Sequence, residues 1–389
     1  MRILSVHNSY LLSGGEDKSW EAQNNLLCEY GHQVEIYHEH NRRIQEIGLL
    51  RTVGRTLWSA ESYRNIQRKL IETKADIVHC ENTFPLISPS IYYAAQAMGI
   101  PVVQSLRNYR LSCLNAYLYR DGKPCEECVG RSLAIPGIAN RCYQDNAAAS
   151  AAVAAMLALH WKMGTYQKQV DMFVALTDFA KDKYVQFGIP EKKIVVKPNF
   201  IHPDPGIGTS DGNFALFVGR LSEEKGLRIL LEAWQSLGQY LPLKILGDGP
   251  LRGFVEESQR QISGVEYLGL KPSEEVHQLM GDAHALIFPS QWYEGMPRVI
   301  IESYAKGTPV IASNMGAMSK LIEHGITGFH FQSNDATSLT TQVIRSLQDL
   351  ESWKRMRENA RHKFETQFSA SINYKALFKI YDEAMAKKR

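Results

Sequence analysis

Two glutamates eight positions apart, Glu294 and Glu302, bracket the run Glu-Gly-Met-Pro-Arg-Val-Ile-Ile-Glu, the stretch of this chain best suited to chemistry. The apolar run Ala285–Phe288 before it reads as a buried strand, and Pro309–Ala312 after it as another, so a loop and a helix lie between. Pro297 suits the first helical turn, where its missing N–H costs nothing. The free N–H groups from Gly295 and Met296 to Arg298 then face outward at the helix start, which makes a site for an anion. Glu294 falls in the loop, and Glu302 lies roughly 7–8 Å further along the helix at ~1.5 Å per residue. Carboxylates accept hydrogen bonds from hydroxyls. A phosphate-binding helix start flanked by two of them suits a ligand with both groups, such as a nucleotide sugar. An arbitrary pair of glutamates is usually solvated surface; the apolar setting of Glu302 among Val299, Ile300, Ile301 and Ala305 weighs against that here.

A pair of cations comes next. Arg220 ends the strand Phe214–Val218 and Lys225 opens the following helix, so both can face the same crevice. With helix dipoles behind them they could hold a diphosphate without a metal; the bland alternative is two surface charges.

Four of the six cysteines fall in one segment, Cys113, Cys125, Cys128 and Cys142, with a C-x2-C pair and two distal partners. That spacing suits a structural tetrahedral zinc site. Reduced thiols and disulfides stay open beside it, the latter disfavoured in a cytoplasmic enzyme. Cys28 and Cys80 read as ordinary packed cysteines.

The elements that position these groups alternate along the chain. Arg2–His7 is a strand, a loop with Gly14 and Gly15 follows, then a helix to Tyr30 and a strand Gln33–Tyr37, the opening of a nucleotide-binding fold. Gly14 and Gly15 could let backbone approach a phosphate, or form a plain turn. Helix over 55–71, strand 76–79, helix 88–98, strand 101–106, an alanine-rich helix from Ala147, strand 171–176 and a helix from Asp178 complete the first half. Alternation over ~200 residues implies a parallel, doubly wound sheet. Sites in such sheets lie at strand carboxyl ends, where His7, Glu81, Asn82 and Arg107 fall. The Pro/Gly/Asp-rich segment from Pro198 to Gly212 reads as a linker, after which the pattern restarts.

The composition, 44% hydrophobic and 22% charged with a formal charge of +3, is that of an ordinary globular protein. No basic cluster interleaved with aromatics points to nucleic acid. The longest apolar run is shorter than the ~20 residues of a spanning helix. The expectation is a cytoplasmic protein, with a peripheral contact to the inner membrane face left open.

The E-x7-E spacing, the Glu-Gly-Met-Pro start and the frame Phe-Val-Gly-Arg-Leu-Ser-Glu-Glu-Lys-Gly together resemble the retaining glycosyltransferases of the group 1 or family 4 class. The resemblance covers nearly the whole chain and is strongest over 214–331. It implies the α/β GT-B architecture: two Rossmann-like domains with parallel sheets facing a central cleft. The expected division is an acceptor domain over 1–200 with a Cys-rich insertion at 108–145, a donor domain over 201–370, and a helix over 371–389 packing back on the first domain. It implies a nucleotide-sugar donor, a UDP-sugar favoured over GDP-mannose, a glycan or lipid-linked acceptor, and no catalytic metal or other cofactor. Arg220 and Lys225 then neutralise the leaving diphosphate, Glu302 binds the ribose hydroxyls and Glu294 the donor sugar. Gly295, Met296 and Pro297 line the donor site, and Gly14 and Gly15 close on the phosphates. The class often carries a histidine near position 107. Arginine here cannot be a base near neutrality, so Arg107 is either an acceptor-side anion ligand or a structural ion pair. A nucleotide-sugar epimerase or hydrolase and a non-catalytic binding protein are the alternative functions.

Overall fold

The computed structural model describes residues 1–11 and 14–388. The chain divides into two units, one of residues 1–118, 125–198 and 373–389, the other of residues 119–124 and 199–372.

The first unit is a parallel sheet of six strands: β1 (Arg2–Ser9), β2 (Gln33–His40), β3 (Ile77–Asn82), β4 (Val102–Leu106), β5 (Met172–Ala175) and β6 (Ile194–Val196). Their order is β2-β1-β3-β4-β5-β6. Every residue of β3, β4 and β5 is buried, as expected where helices cover both faces of a parallel sheet. The direction of winding reverses between β1 and β3. There the pairing shifts after Val6, which pairs with Cys80, so that His7 pairs with Asn82. The irregularity leaves Glu81 as the extra residue at the strand ends, the kind of feature that re-aims side chains beside sites.

The helix Ala370–Ala386 closes this unit from the far end of the sequence. Leu377, Ile380, Tyr381 and Ala384 pack with Ile3, Leu27, Ile77, Val103 and Met172. Tyr374 Oη pairs with His32 Nε2 at 2.8 Å, and Tyr381 Oη with the buried His79 Nδ1 at 2.6 Å.

The second unit repeats the plan with β7 (Ala215–Val218), β8 (Leu243–Leu246), β9 (Val265–Gly269), β10 (Ala285–Phe288), β11 (Val310–Ser313) and β12 (Gly328–Phe331). The order is β9-β8-β7-β10-β11-β12 and every pairing is parallel. This is the dinucleotide-fold order, whose winding reverses between its first and fourth strands, here β7 and β10. Its core gathers Phe217, Leu230, Trp234, Ile245, Ile287, Ile311 and Phe331.

The structure corrects three local expectations. The single helix over 55–71 is two, Leu49–Leu57 and Ala60–Thr73, because Ser59 caps the second by accepting from the Ser62 N–H. Lys225 lies in a single 3-10 turn, Glu223–Lys225, and the helix itself starts at Leu227. Pro297 is the extended N-cap of the helix Arg298–Ala305, one position ahead of the first turn.

Candidate active site

Lys225 and Glu294 come together, with Arg220 at the end of an adjacent strand, where the second sheet reverses direction. Arg220 follows β7, and the loop carrying Glu294 follows β10, so the ends of two adjacent strands present them. The turn with Lys225 is pressed onto that loop. Gly226 has a left-handed backbone (φ +72), and a Cβ there would stand 1.9 Å from the Pro289 carbonyl oxygen. Only glycine serves both conditions. Beside it the Gln291 N–H donates to the Glu224 carbonyl at 2.8 Å.

Lys225 Nζ then donates to Glu294 Oε1 at 2.6 Å. The same oxygen accepts from Ser290 Oγ and from Trp292 Nε1, each at 2.8 Å. The ammonium also lies over the rings of Trp292 (5.4 Å) and Phe288 (5.7 Å), where the aromatic faces favour a cation. Glu294 is buried, and its Oε2 takes no hydrogen bond among the described residues. Arg220 is exposed and its guanidinium makes no ion pair among the described residues. The site therefore offers one fixed cation, one open cation and one open carboxylate oxygen.

Glu302 is half-buried on the helix Arg298–Ala305 that follows this loop, with Arg298 Nε at 3.8 Å. The N–H groups of Gly295 and Met296 donate to no acceptor among the described residues. The Met296 side chain is turned inward: it is buried, and its sulfur accepts from the Asn199 N–H at 3.2 Å. Ser290, Trp292 and Gly226 were not singled out from the sequence. Their signal is position alone: two residues of the loop after β10 and a glycine after the Lys225 turn.

In the first unit, Arg107 is not an open anion ligand. Its Nε donates to Glu81 Oε2 at 2.7 Å and its NH2 to Glu81 Oε1 at 3.2 Å, a buried fork. Burial pushes the Glu81 carboxyl up, but Arg107 and His79 outweigh it and hold it down at about 2. The Gly14 N–H, expected to meet a phosphate, donates to Asp17 Oδ2 at 2.8 Å. Gly15 opens the helix Gly15–Glu29 and is exposed.

The four cysteines of the insertion are gathered but do not converge on a metal site. Burial, with the neighbouring thiols Cys113, Cys142 and Cys125, pushes the Cys128 thiol up to about 11. All six cysteines are outside disulfides. Cys113 Sγ is turned to Asn115 Oδ1 at 2.9 Å, and Cys128 Sγ lies against Gly137. Among the described residues no group of three or more His, Cys, Asp or Glu side chains is arranged to hold a metal ion. The tetrahedral set suggested by the C-x2-C spacing is thus not what the side chains form.

Two parallel six-stranded sheets wound in this way, each in its own α/β unit, define the two-domain GT-B fold. A glycosyltransferase from Rickettsia africae superposes with a TM-score of 0.72 at 20% identity, covering 99% of this chain and 98% of that one. Anabaena Alr3699/HepE in complex with UDP superposes with a TM-score of 0.69 at 18% identity, covering 98% and 100%. Residues 204–363 match the model of the glycosyl transferases group 1, and residues 24–205 that of glycosyltransferase family 4. The chain belongs to the group 1 glycosyltransferases. Among curated relatives, the putative colanic acid biosynthesis glycosyltransferase WcaL of Escherichia coli K12 is 30% identical over 220 residues, 51% of this chain and 54% of that protein. The chain spans about half the length of the curated relatives it matches.

Proposed function

We propose that this protein moves a hexose from a nucleoside-diphosphate sugar to a hydroxyl of a glycan or lipid-linked acceptor. Configuration is retained at the anomeric carbon and no catalytic metal takes part. The observation that carries this reading is the Lys225–Glu294 pair beside the exposed Arg220, at the point where the second sheet reverses direction. A UDP-sugar is favoured over GDP-mannose; HepE, of the same fold, was captured with UDP and with UDP-glucose. WcaL, named for colanic acid biosynthesis, supports a polysaccharide product.

As the bond from the anomeric carbon to the diphosphate lengthens, negative charge grows on the leaving oxygens. Lys225 Nζ and the Arg220 guanidinium neutralise it there, which lowers the barrier because the charge is larger in the transition state than in the bound donor. Glu294, steadied through Oε1, turns Oε2 to the donor sugar hydroxyls, and Glu302 holds the ribose. The departing phosphate oxygen takes the proton of the acceptor hydroxyl as the new bond forms on the same face, so no carboxylate nucleophile is called for.

A site of action on the cytoplasmic side, touching the membrane peripherally, completes the proposal. No helix among the described residues is long and apolar enough to cross a membrane. The exposed Leu49 and Leu50, next to Arg51 on one helix, support surface contact.

The test is thermal stability against UDP, GDP, ADP and their sugars, with Glu302→Ala as control. A ligand at a hundred times its Kd adds about 2.7 kcal/mol. Protection by UDP and a UDP-hexose, lost in Glu302→Ala, is expected, with product of the donor's anomeric configuration by NMR. No protection by any nucleotide overturns the reading.

A further inference from the structure

Glu294 Oε1 accepts from Lys225 Nζ, Ser290 Oγ and Trp292 Nε1, and these three donors are not equally committed to it. The Lys225 ammonium carries three protons and is shared with a diphosphate once one binds. The Ser290 hydroxyl has a single proton and two acceptors in reach, Glu294 Oε1 at 2.8 Å and the Glu224 carbonyl oxygen at 3.3 Å. The Trp292 indole N–H also has one proton, but its nitrogen can only donate, and it donates to Oε1 at 2.8 Å.

The chain fastens that indole on either side. Gln291, one residue before it, donates from its backbone N–H to the Glu224 carbonyl at 2.8 Å and from its side-chain amide to Asn334 Oδ1 at 2.6 Å. Two residues after Trp292, the Glu294 N–H donates to the Trp292 carbonyl at 3.0 Å. That bond closes a three-residue turn and brings the two side chains together. The ring makes a second contact: its centroid lies 5.4 Å from Lys225 Nζ, and its negative face attracts the cation. One half-buried side chain thus touches both members of the Lys225–Glu294 pair, through different atoms. Simple packing asks for neither contact.

The two oxygens of a carboxylate are equivalent until a neighbour distinguishes them. Here the donors gathered on Oε1 do so, and the indole is the one among them that a bound donor does not draw away. We propose that Trp292 is a positioning residue of the donor site: its N–H selects which oxygen of Glu294 is presented to the sugar, and its ring face holds the Lys225 ammonium where it meets the diphosphate. This rests on the transferase reading and adds the residue that aligns its two charged groups. The two contacts are chemically separable. Phenylalanine keeps an aromatic face and has no N–H; leucine has neither.

The experiment measures, by calorimetry on the full chain, the affinity for UDP and for UDP-glucose, UDP-galactose and UDP-N-acetylglucosamine. Trp292→Phe should keep UDP affinity within about twofold and lower that of the UDP-sugar the parent binds about tenfold, as expected for a lost hydrogen bond to a charged group. Trp292→Leu should lower UDP affinity as well, about threefold, through loss of the cation–π contact. A ring that only fills space would move UDP and UDP-sugar together in Trp292→Phe, or move neither. Should Trp292→Phe lose the parent's cooperative melt, benzothienylalanine at position 292, which exchanges only the N–H for sulfur, is judged by the same two affinities. Parent-like binding of every ligand in Trp292→Phe, an equal loss of UDP and UDP-sugar there, or parent-like UDP affinity in Trp292→Leu each overturns this proposal alone. A parent chain that binds no UDP-sugar sinks the transferase reading, and this proposal with it.

Discussion

Glu294 Oε1 stands 2.6 Å from Lys225 Nζ while carrying two further donors, Ser290 Oγ and Trp292 Nε1. One oxygen thus anchors a cation that keeps two N–H bonds for a ligand, and the other oxygen stays open. On the proposed function, the pair couples the group that meets the donor's diphosphate to the one that meets its sugar. Glu294→Gln removes the countercharge and keeps the shape. UDP should bind about fivefold more tightly, because Lys225 no longer shares its charge. Transfer should fall ~10²–10³-fold through loss of the sugar contact. Calorimetry and turnover check the two together; UDP affinity falling in step with turnover contradicts this division of roles.

Arg220 is exposed and unpaired among the described residues, so Arg220→Ala should leave stability within about 0.5 kcal/mol. UDP affinity and turnover should both drop, turnover more. A parallel chemical denaturation curve and a donor titration separate the effects; unchanged turnover would remove Arg220 from the site.

Gly226→Ala places a Cβ 1.9 Å from the Pro289 carbonyl and forces a methyl-bearing residue to φ +72. The turn must lift away from the loop that holds Glu294. A loss of roughly 2 kcal/mol or more is expected, together with loss of UDP protection, both visible in one melting series.

Burial raises the Glu16 carboxyl from 4.5 to about 7, with His7 and Arg107 working against it. A carboxyl raised on folding holds its proton more tightly in the native chain. Its contribution to stability is therefore fully present below the unfolded value and is lost as pH rises through the folded one. Glu16→Gln has no proton to lose, so its stability relative to the parent should climb between about pH 5 and 8, by up to roughly 3 kcal/mol. Denaturation at both ends of that range decides it, and a flat difference would show that the carboxyl is solvated.

Leu377 is buried against the first sheet from the C-terminal helix. Leu377→Ala should cost roughly 2–4 kcal/mol through lost burial and the cavity left behind. A mild urea series reads this directly; a loss below half a kcal/mol would mean the helix contributes little to the first unit.

Local pattern made the alternation of strands and helices legible, since strand runs such as Ala285–Phe288 and the helix after Pro297 carry their periodicity within a dozen residues. Arg220, Lys225 and Glu294 could be singled out as candidates for the same reason, each lying just past a strand that its neighbours define, and Glu302 by its apolar neighbours on the helix Arg298–Ala305. Where a competing local device existed, the reading failed. Ser59 divides a helix whose apolar spacing ran on through it, and Cys113 and Cys128 take nearby amide and backbone partners while the four thiols stay neighbours. Which groups meet across the chain was beyond any local pattern. Lys225 and Glu294 are 69 residues apart, Arg107 and Glu81 are 26. The residues that share an oxygen or an ion pair are set by strand order and by the reversal of winding, and those follow from packing two helix layers over a whole sheet, a property of all its strands at once.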